Sequence, residues 1–287
     1  MGIAALEDKI VQQSLIWVLN AIYEEEFLGF SYGFRPKRSQ HDALDAIYIA
    51  ITQKKVSWVL DADIKGFFDN LNHDWLMKFI GHKIKDKRIQ RLIESALRAG
   101  IKEADGRKIR AEAGTPQGAV ISPLLANIYL HYVLDLWGNA WRAKRARGEI
   151  YIVRYADDFV VGFQYQDDGK RFHQALEKRL KKFDLKLHEQ KTRLLEFGRY
   201  AAPNRKQRGE SKPEIFDFIG FTHIYVFLLY SYSVINLDPE ILSKINITHL
   251  LILQNLIRRA AGYYFTFAEN IRSFANPESF SYIVVCN

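Results

Sequence analysis

Residues 149–163 read Glu-Ile-Tyr-Ile-Val-Arg-Tyr-Ala-Asp-Asp-Phe-Val-Val-Gly-Phe. Two runs of β-formers, 150–153 and 159–163, flank Tyr155, Ala156, Asp157 and Asp158. The pattern predicts strand, tight turn, strand. Two adjacent carboxylates at a hairpin tip repel each other, and Arg154 is the one base beside them. A divalent cation would relieve that repulsion, since Mg²⁺ takes one or two protein carboxylates together with substrate phosphates. The alternative is a plain Asp-Asp turn in water.

A second acidic strand end lies far upstream. Residues 57–64, Ser-Trp-Val-Leu-Asp-Ala-Asp-Ile, form a short apolar run that closes on acids, and Lys65-Gly66 breaks it. An Asp at the end of a buried strand is costly unless paired or bound to metal. Asp61 and Asp63 share a face by period-two spacing. Asp63 is read as a metal ligand and Asp61 as a hydrogen-bonded structural acid.

The remaining elements follow from periodicity and caps. Residues 5–26 and 42–51 have helical spacing, and 27–36 is an aromatic, glycine-rich loop. Asn72 is an N-cap for a helix over 73–80, and 85–99 is a second helix. Asp105-Gly106 marks a hairpin turn, 113–118 a loop, and 121–141 a long apolar helix. A basic helix over 170–183, strands over 185–187, 193–197 and 216–221, and a basic surface loop over 199–212 complete this part. The order around the acids is that of an antiparallel sheet backed by helices, an α+β fold.

The formal charge is +8, with 41 Lys and Arg against 33 Asp and Glu, which suits a polyanionic partner. Residues 224–287 hold four acids and four bases, so the surplus lies in 1–223. Lys9, Arg35, Lys37 and Arg38 form a basic group that could hold a nucleotide's phosphates or a nucleic-acid backbone. The single cysteine, Cys286, excludes a disulfide framework and points to a reducing, cytoplasmic setting. Residues 1–9 are no signal peptide. Residues 218–237 lack charge over the length of one membrane span, but the polar residues scattered through them argue against a membrane.

Several short motifs recur in a fixed order. They are Asp63-Ile-Lys-Gly-Phe-Phe68, Gly114-Thr-Pro-Gln-Gly118 with residues 121–127 (Ile-Ser-Pro-Leu-Leu-Ala-Asn), Tyr155-Ala-Asp-Asp158, Gln190-Lys-Thr192 and Phe218-Ile-Gly-Phe221. Together with Phe30-Ser-Tyr-Gly-Phe-Arg-Pro36 and Arg38-Ser39, this resembles the reverse transcriptases of bacterial group II introns over residues 2–223. The resemblance implies a right-hand polymerase palm over 57–223, partial helical fingers over 1–56 and an atypical apolar tail over 224–287. It implies RNA-templated DNA synthesis, with an RNA template, a DNA primer, dNTPs and intron RNA as partners. Asp63 and Asp157 would hold two Mg²⁺ ions with Asp158 beside them. Phe68 would be the steric gate against a 2′-hydroxyl, Gln117 would lie along the nucleotide and template, and Lys191 would face the pyrophosphate.

Two departures from that family's pattern stand out. The chain starts as though cut inside an expected Arg-Pro-Leu-Gly-Ile-Pro run, without its arginine, and a neutral tail stands where basic thumb and maturase sequence is expected. The expectation is a truncated or frame-shifted copy. A non-catalytic RNA-binding maturase relic and a reverse transcriptase recruited to phage defence stay open as alternatives.

Overall fold

The computed structural model describes residues 5–99, 101–102, 108–109, 113–115, 118–198, 200–211, 213–227 and 280–286. In chain order the elements are α1 (Leu6–Tyr23), α2 (Gln40–Gln53), β1 (Trp58–Ala62), α3 (Phe67–Asn70), α4 (His73–Lys83), α5 (Lys87–Arg98), β2 (Ile101–Lys102) and β3 (Lys108–Ile109). Then come α6 (Ser122–Leu130), a π-helical turn (His131–Asp135) and α7 (Leu136–Arg145). The last are β4 (Ile150–Tyr155), β5 (Asp158–Phe163), α8 (Gln166–Lys181), β6 (Arg193–Glu196), α9 (Ala201–Gln207), β7 (Phe216–Phe218), β8 (Phe221–Phe227) and β9 (Phe280–Cys286).

Local chemistry explains several boundaries. Ser39 and Asp42 form a reciprocal capping box at the start of α2. Asn72 accepts from the Trp75 amide and caps α4. Pro123 falls in the first turn of α6, where a missing N–H costs nothing.

The central sheet has the order β4-β5-β1-β6, and its strand pairs are antiparallel. Its residues alternate between two cores. Leu60, Ala62, Phe159, Val161, Phe163, Ile150 and Ile152 face the helical layer, with Leu125, Leu130, Phe172 and Leu176 among their partners. Val59, Val153, Val160 and Leu195 face α2 and β7, through Ala43, Ile47, Phe216 and Phe218. Both faces are covered, which is why these strands read as near-continuous apolar runs. The α+β sheet backed by helices is borne out.

Some expectations need correction. The long helix over 121–141 exists but carries the π-helical turn at His131–Asp135, which no propensity signals. Residues 201–207 are helical rather than loop, because Pro203 sits in the first turn, where it is tolerated. Residues 185–187 make one isolated bridge, Leu187 to Ile64, and not a strand. Residues 216–221 are not one strand, since Ile219 (φ 48°) and Gly220 (φ 79°) turn the chain back between β7 and β8. β8 runs on to Phe227, so the composition boundary at 223 falls inside a strand, and β9 pairs with it. The expected turn at Asp105-Gly106 lies outside the described residues, between the paired β2 and β3. Residues 216–218 and 221–227 are β-strands, and 228–237 lie outside the described residues. Among the described residues no helix is long and apolar enough to cross a membrane.

Gly198 follows β6 at φ 140°, and a Cβ there would lie 2.3 Å from the Val56 carbonyl oxygen. Gly198→Ala is expected to lower stability by at least about 2 kcal/mol, read as a shifted urea midpoint at constant slope.

Candidate active site

The β4–β5 hairpin pairs Tyr155 with Asp158 and leaves Ala156 and Asp157 as its turn. Ala156 takes the left-handed conformation, φ 57°. Strand β1 pairs with β5 so that Ala62 faces Phe159. One step beyond that pair, the chain brings Asp63 alongside Asp158. Asp63 is held in turn by the segment after α8, whose His188 amide donates to the Asp63 carbonyl at 2.8 Å. Two further amides, of Lys191 and Thr192, donate to the His188 carbonyl and close a turn that carries Lys191 back to the acids.

Lys191 Nζ lies 2.9 Å from Asp63 Oδ2. That carboxylate, more than any other partner, raises the lysine above its usual value. Asp157 is raised chiefly by burial, with Asp63 adding to the shift. Asp158 is exposed to solvent by surface area, yet it is pushed up to about 6, first by the protein packed around it and then by the charges of Asp157 and Asp63. The acids from the two separated stretches therefore feel one another.

A groove of about 420 Å³ opens here, lined by Asp61, Asp63, Asp158, Gln190, Lys191, Arg193 and Asp217, and also by Ile219 and Gly220. Phe68 lies on α3, half-buried, its ring edge-on to Phe67 at 5.4 Å. Its carbonyl accepts from the Thr115 amide at 2.8 Å, which ties the 113–115 loop to α3. Gln117 lies outside the described residues. Lys9 is exposed on α1.

Arg35 corrects an expectation. It is buried, with its guanidinium committed to the Glu24 carboxylate and to the Leu28 and Ser31 carbonyls, so it is not available to phosphates. Asp61 also departs from its expected role. Among the described residues no hydrogen bond reaches its carboxylate, whose one ionic partner is Arg193 at 4.0 Å. Asp217 and Arg193 were not singled out from the sequence. Asp217 falls on the polar side of a short alternating strand, where an acid is ordinary.

The donor set is hard oxygen, which suits Mg²⁺ or Mn²⁺. A lysine ammonium already rests on Asp63 as a cation in that place. Among the described residues no three acidic or histidine side chains stand close enough to cage an ion unaided. Mg²⁺ does not require such a cage, because phosphates and water supply its remaining ligands. Asp63, Asp157 and Asp158 therefore fit the role as a partial set.

Asp61 is raised to about 7 by burial and then by the charges of Asp217, Asp158 and Asp63, against the pull of Arg193. A carboxyl whose folded value exceeds its unfolded value weakens the fold as it ionises. That loss sets in between about pH 4 and pH 7. Asp61→Asn is expected to raise the thermal midpoint at pH 8 by at least about 3–6 °C and by far less at pH 4. An equal shift at both pH values would contradict the assigned charge.

Residues 1–223 match the family described as reverse transcriptase (RNA-dependent DNA polymerase). Group II intron-encoded protein LtrA of Lactococcus lactis subsp. cremoris is 44% identical over 140 residues, covering 47% of this chain and 23% of that protein. Protein YkfC of Escherichia coli (strain K12) is 34% identical over 189 residues, covering 56% of this chain and 49% of its own. The chain thus spans half or less of the length of these relatives. Among solved structures, apo telomerase from Candida tropicalis superposes with a TM-score of 0.54 at 17% identity, over 75% of this chain and 39% of that one, a likeness of fold alone. With its palm-like sheet, its paired acids and a family match running from residue 1 to 223, this chain belongs to the reverse transcriptase family.

Proposed function

We propose that this chain carries out RNA-templated DNA synthesis, adding nucleotides to a primer 3′-hydroxyl, in the setting of a group II intron. The observation that carries the reading is a single groove bordered by Asp63, Asp158 and Lys191, with Asp157 on the adjoining turn, in a reverse transcriptase family member. The 44% identity to a group II intron-encoded protein supports the intron setting.

In this reading Asp63, Asp157 and Asp158 would hold two Mg²⁺ ions, which when bound would supply activation of the primer hydroxyl and charge neutralisation at the triphosphate. The residues of the chain orient and neutralise. The turn at Ala156 and Asp157 presents its acids from a hairpin tip, on backbone fixed by the β4–β5 pairing. Lys191, on its own turn and 2.9 Å from Asp63, would face a pyrophosphate oxygen. Phe68, on α3, would serve as the steric gate against a 2′-hydroxyl, and Gln117 would lie along the nucleotide and template. Most of the work is positioning and charge neutralisation. Residues 1–56 would serve as fingers elements and 57–223 as palm. An RNA template, a DNA primer, dNTPs and intron RNA are the partners, and the basic surplus of residues 1–223 suits their phosphates.

Primer extension on an RNA template with Mg²⁺ tests this. The expected result is templated product from the wild-type chain and a loss of at least about 1,000-fold in Asp157→Asn. RNA binding with no extension under any divalent metal would favour the maturase reading and refute the polymerase one.

A further inference from the structure

Arg154 is among the largest fully buried side chains of the described residues and lies two residues before the hairpin turn. A guanidinium has five N–H donors and no acceptor. All five are used. Nε and Nη2 grip Asp135 at 2.7 and 2.6 Å, a two-pronged ion pair with both side chains wholly buried. Nη2 also donates to Ser31 Oγ at 2.7 Å. Nη1 donates to Asn127 Oδ1 at 2.9 Å and to the Ala156 carbonyl at 2.8 Å.

These partners come from four places: the 27–36 loop, α6, the π-helical turn that ends at Asp135, and the hairpin tip itself. The main chain repeats the connection. The Arg154 amide donates to the Phe30 carbonyl at 2.9 Å, and the Tyr32 amide donates to the Arg154 carbonyl at 2.8 Å. Asn127 Nδ2 donates to the Gly33 carbonyl at 2.6 Å. Gly33 packs so tightly on the tip that a Cβ there would lie 2.3 Å from the Ala156 nitrogen.

A buried ion pair is a poor way to gain stability, because desolvating two charges offsets most of their attraction. What this one gains is geometry. Ala156 is held at φ 57°, a conformation an L-residue keeps only when its surroundings impose it. The Arg154 bond to its carbonyl is one such imposition. We propose that Arg154 is a positioning residue: clamped by Asp135, it locks the turn bearing Asp157 and Asp158 to the 27–36 loop, so that the acids and the fingers-side loop move as one body. Its consequence for catalysis rests on the polymerase reading above. Its consequence for the turn does not.

The test uses the full chain with Arg154→Met combined with Asp135→Leu, which removes both charges and leaves neither unpaired. Hydrogen exchange is followed in peptides covering 155–159 and 30–34, with β1 and β6 as internal references. Exchange in both segments is expected to rise on the order of 10-fold while the reference strands stay unchanged. Single-turnover extension is expected to fall at least about 100-fold with the dNTP KM held within about 3-fold. Arg154→Lys should not rescue either property, since one ammonium cannot reproduce the planar fork. If the double variant does not fold, Ser31→Ala removes one buried acceptor and no charge, and should raise exchange in the same two segments by about 3-fold. Unchanged exchange at 155–159 and 30–34 in either folded variant would overturn the proposal, as would a wild-type extension rate in the double variant. A wild-type chain that never extends a primer would sink the polymerase reading instead, and exchange would still decide the lock.

Discussion

The pairing of β1 with β5 is the constraint on which the rest depends. Ala62 stands opposite Phe159 in an antiparallel register. That register sends Leu60, Ala62, Phe159 and Val161 into the helical core and leaves the next residues, Asp63 and Asp158, side by side at the strand ends. A slip of one residue would reverse every side chain and bury the acids in the apolar layer. The core therefore fixes the position of the carboxylates. No contact between the acids themselves could do so, because they repel.

That arrangement has a cost that remains visible in the folded chain. Asp157 and Asp158 are raised by burial and by their neighbours' charges, and Asp61 is raised further, to about 7. Lys191 and Arg193 offset only part of the negative charge. A groove left short of positive charge attracts cations. Stability and activity are in tension here, as they commonly are at sites built from crowded like charges.

Much of this could be read from residues alone. The Tyr155-to-Asp158 tip was legible because strong β-formers flank it, and β1 because its apolar run ends in acids. Asn72 announced its helix through local capping chemistry, whereas the Ser39 cap of α2 went unread. The other failures share a cause, which is that tertiary partners decided them. Arg35 looked like a surface base until Glu24 and two carbonyls were found to enclose it. Arg154 showed in the sequence only as the base beside the acids, because its four partner segments are scattered from residue 31 to 156. The turn at Ile219 could not be foreseen, since a β-branched residue at φ 48° contradicts its own propensity. Asp61 was misread because a strand pattern reports which face a residue takes, not whether a hydrogen bond awaits it there.

The central claim is that Asp63, Asp157 and Asp158 form one cation-binding set. Anomalous diffraction from crystals of the chain grown with Mn²⁺ and a dNTP addresses it most directly. The account predicts Mn²⁺ density within coordination distance of the carboxylates of Asp63 and Asp157, with the Lys191 ammonium moved off Asp63. Saturating Mn²⁺ with no density at these acids, and with the Lys191–Asp63 pair intact, would contradict it.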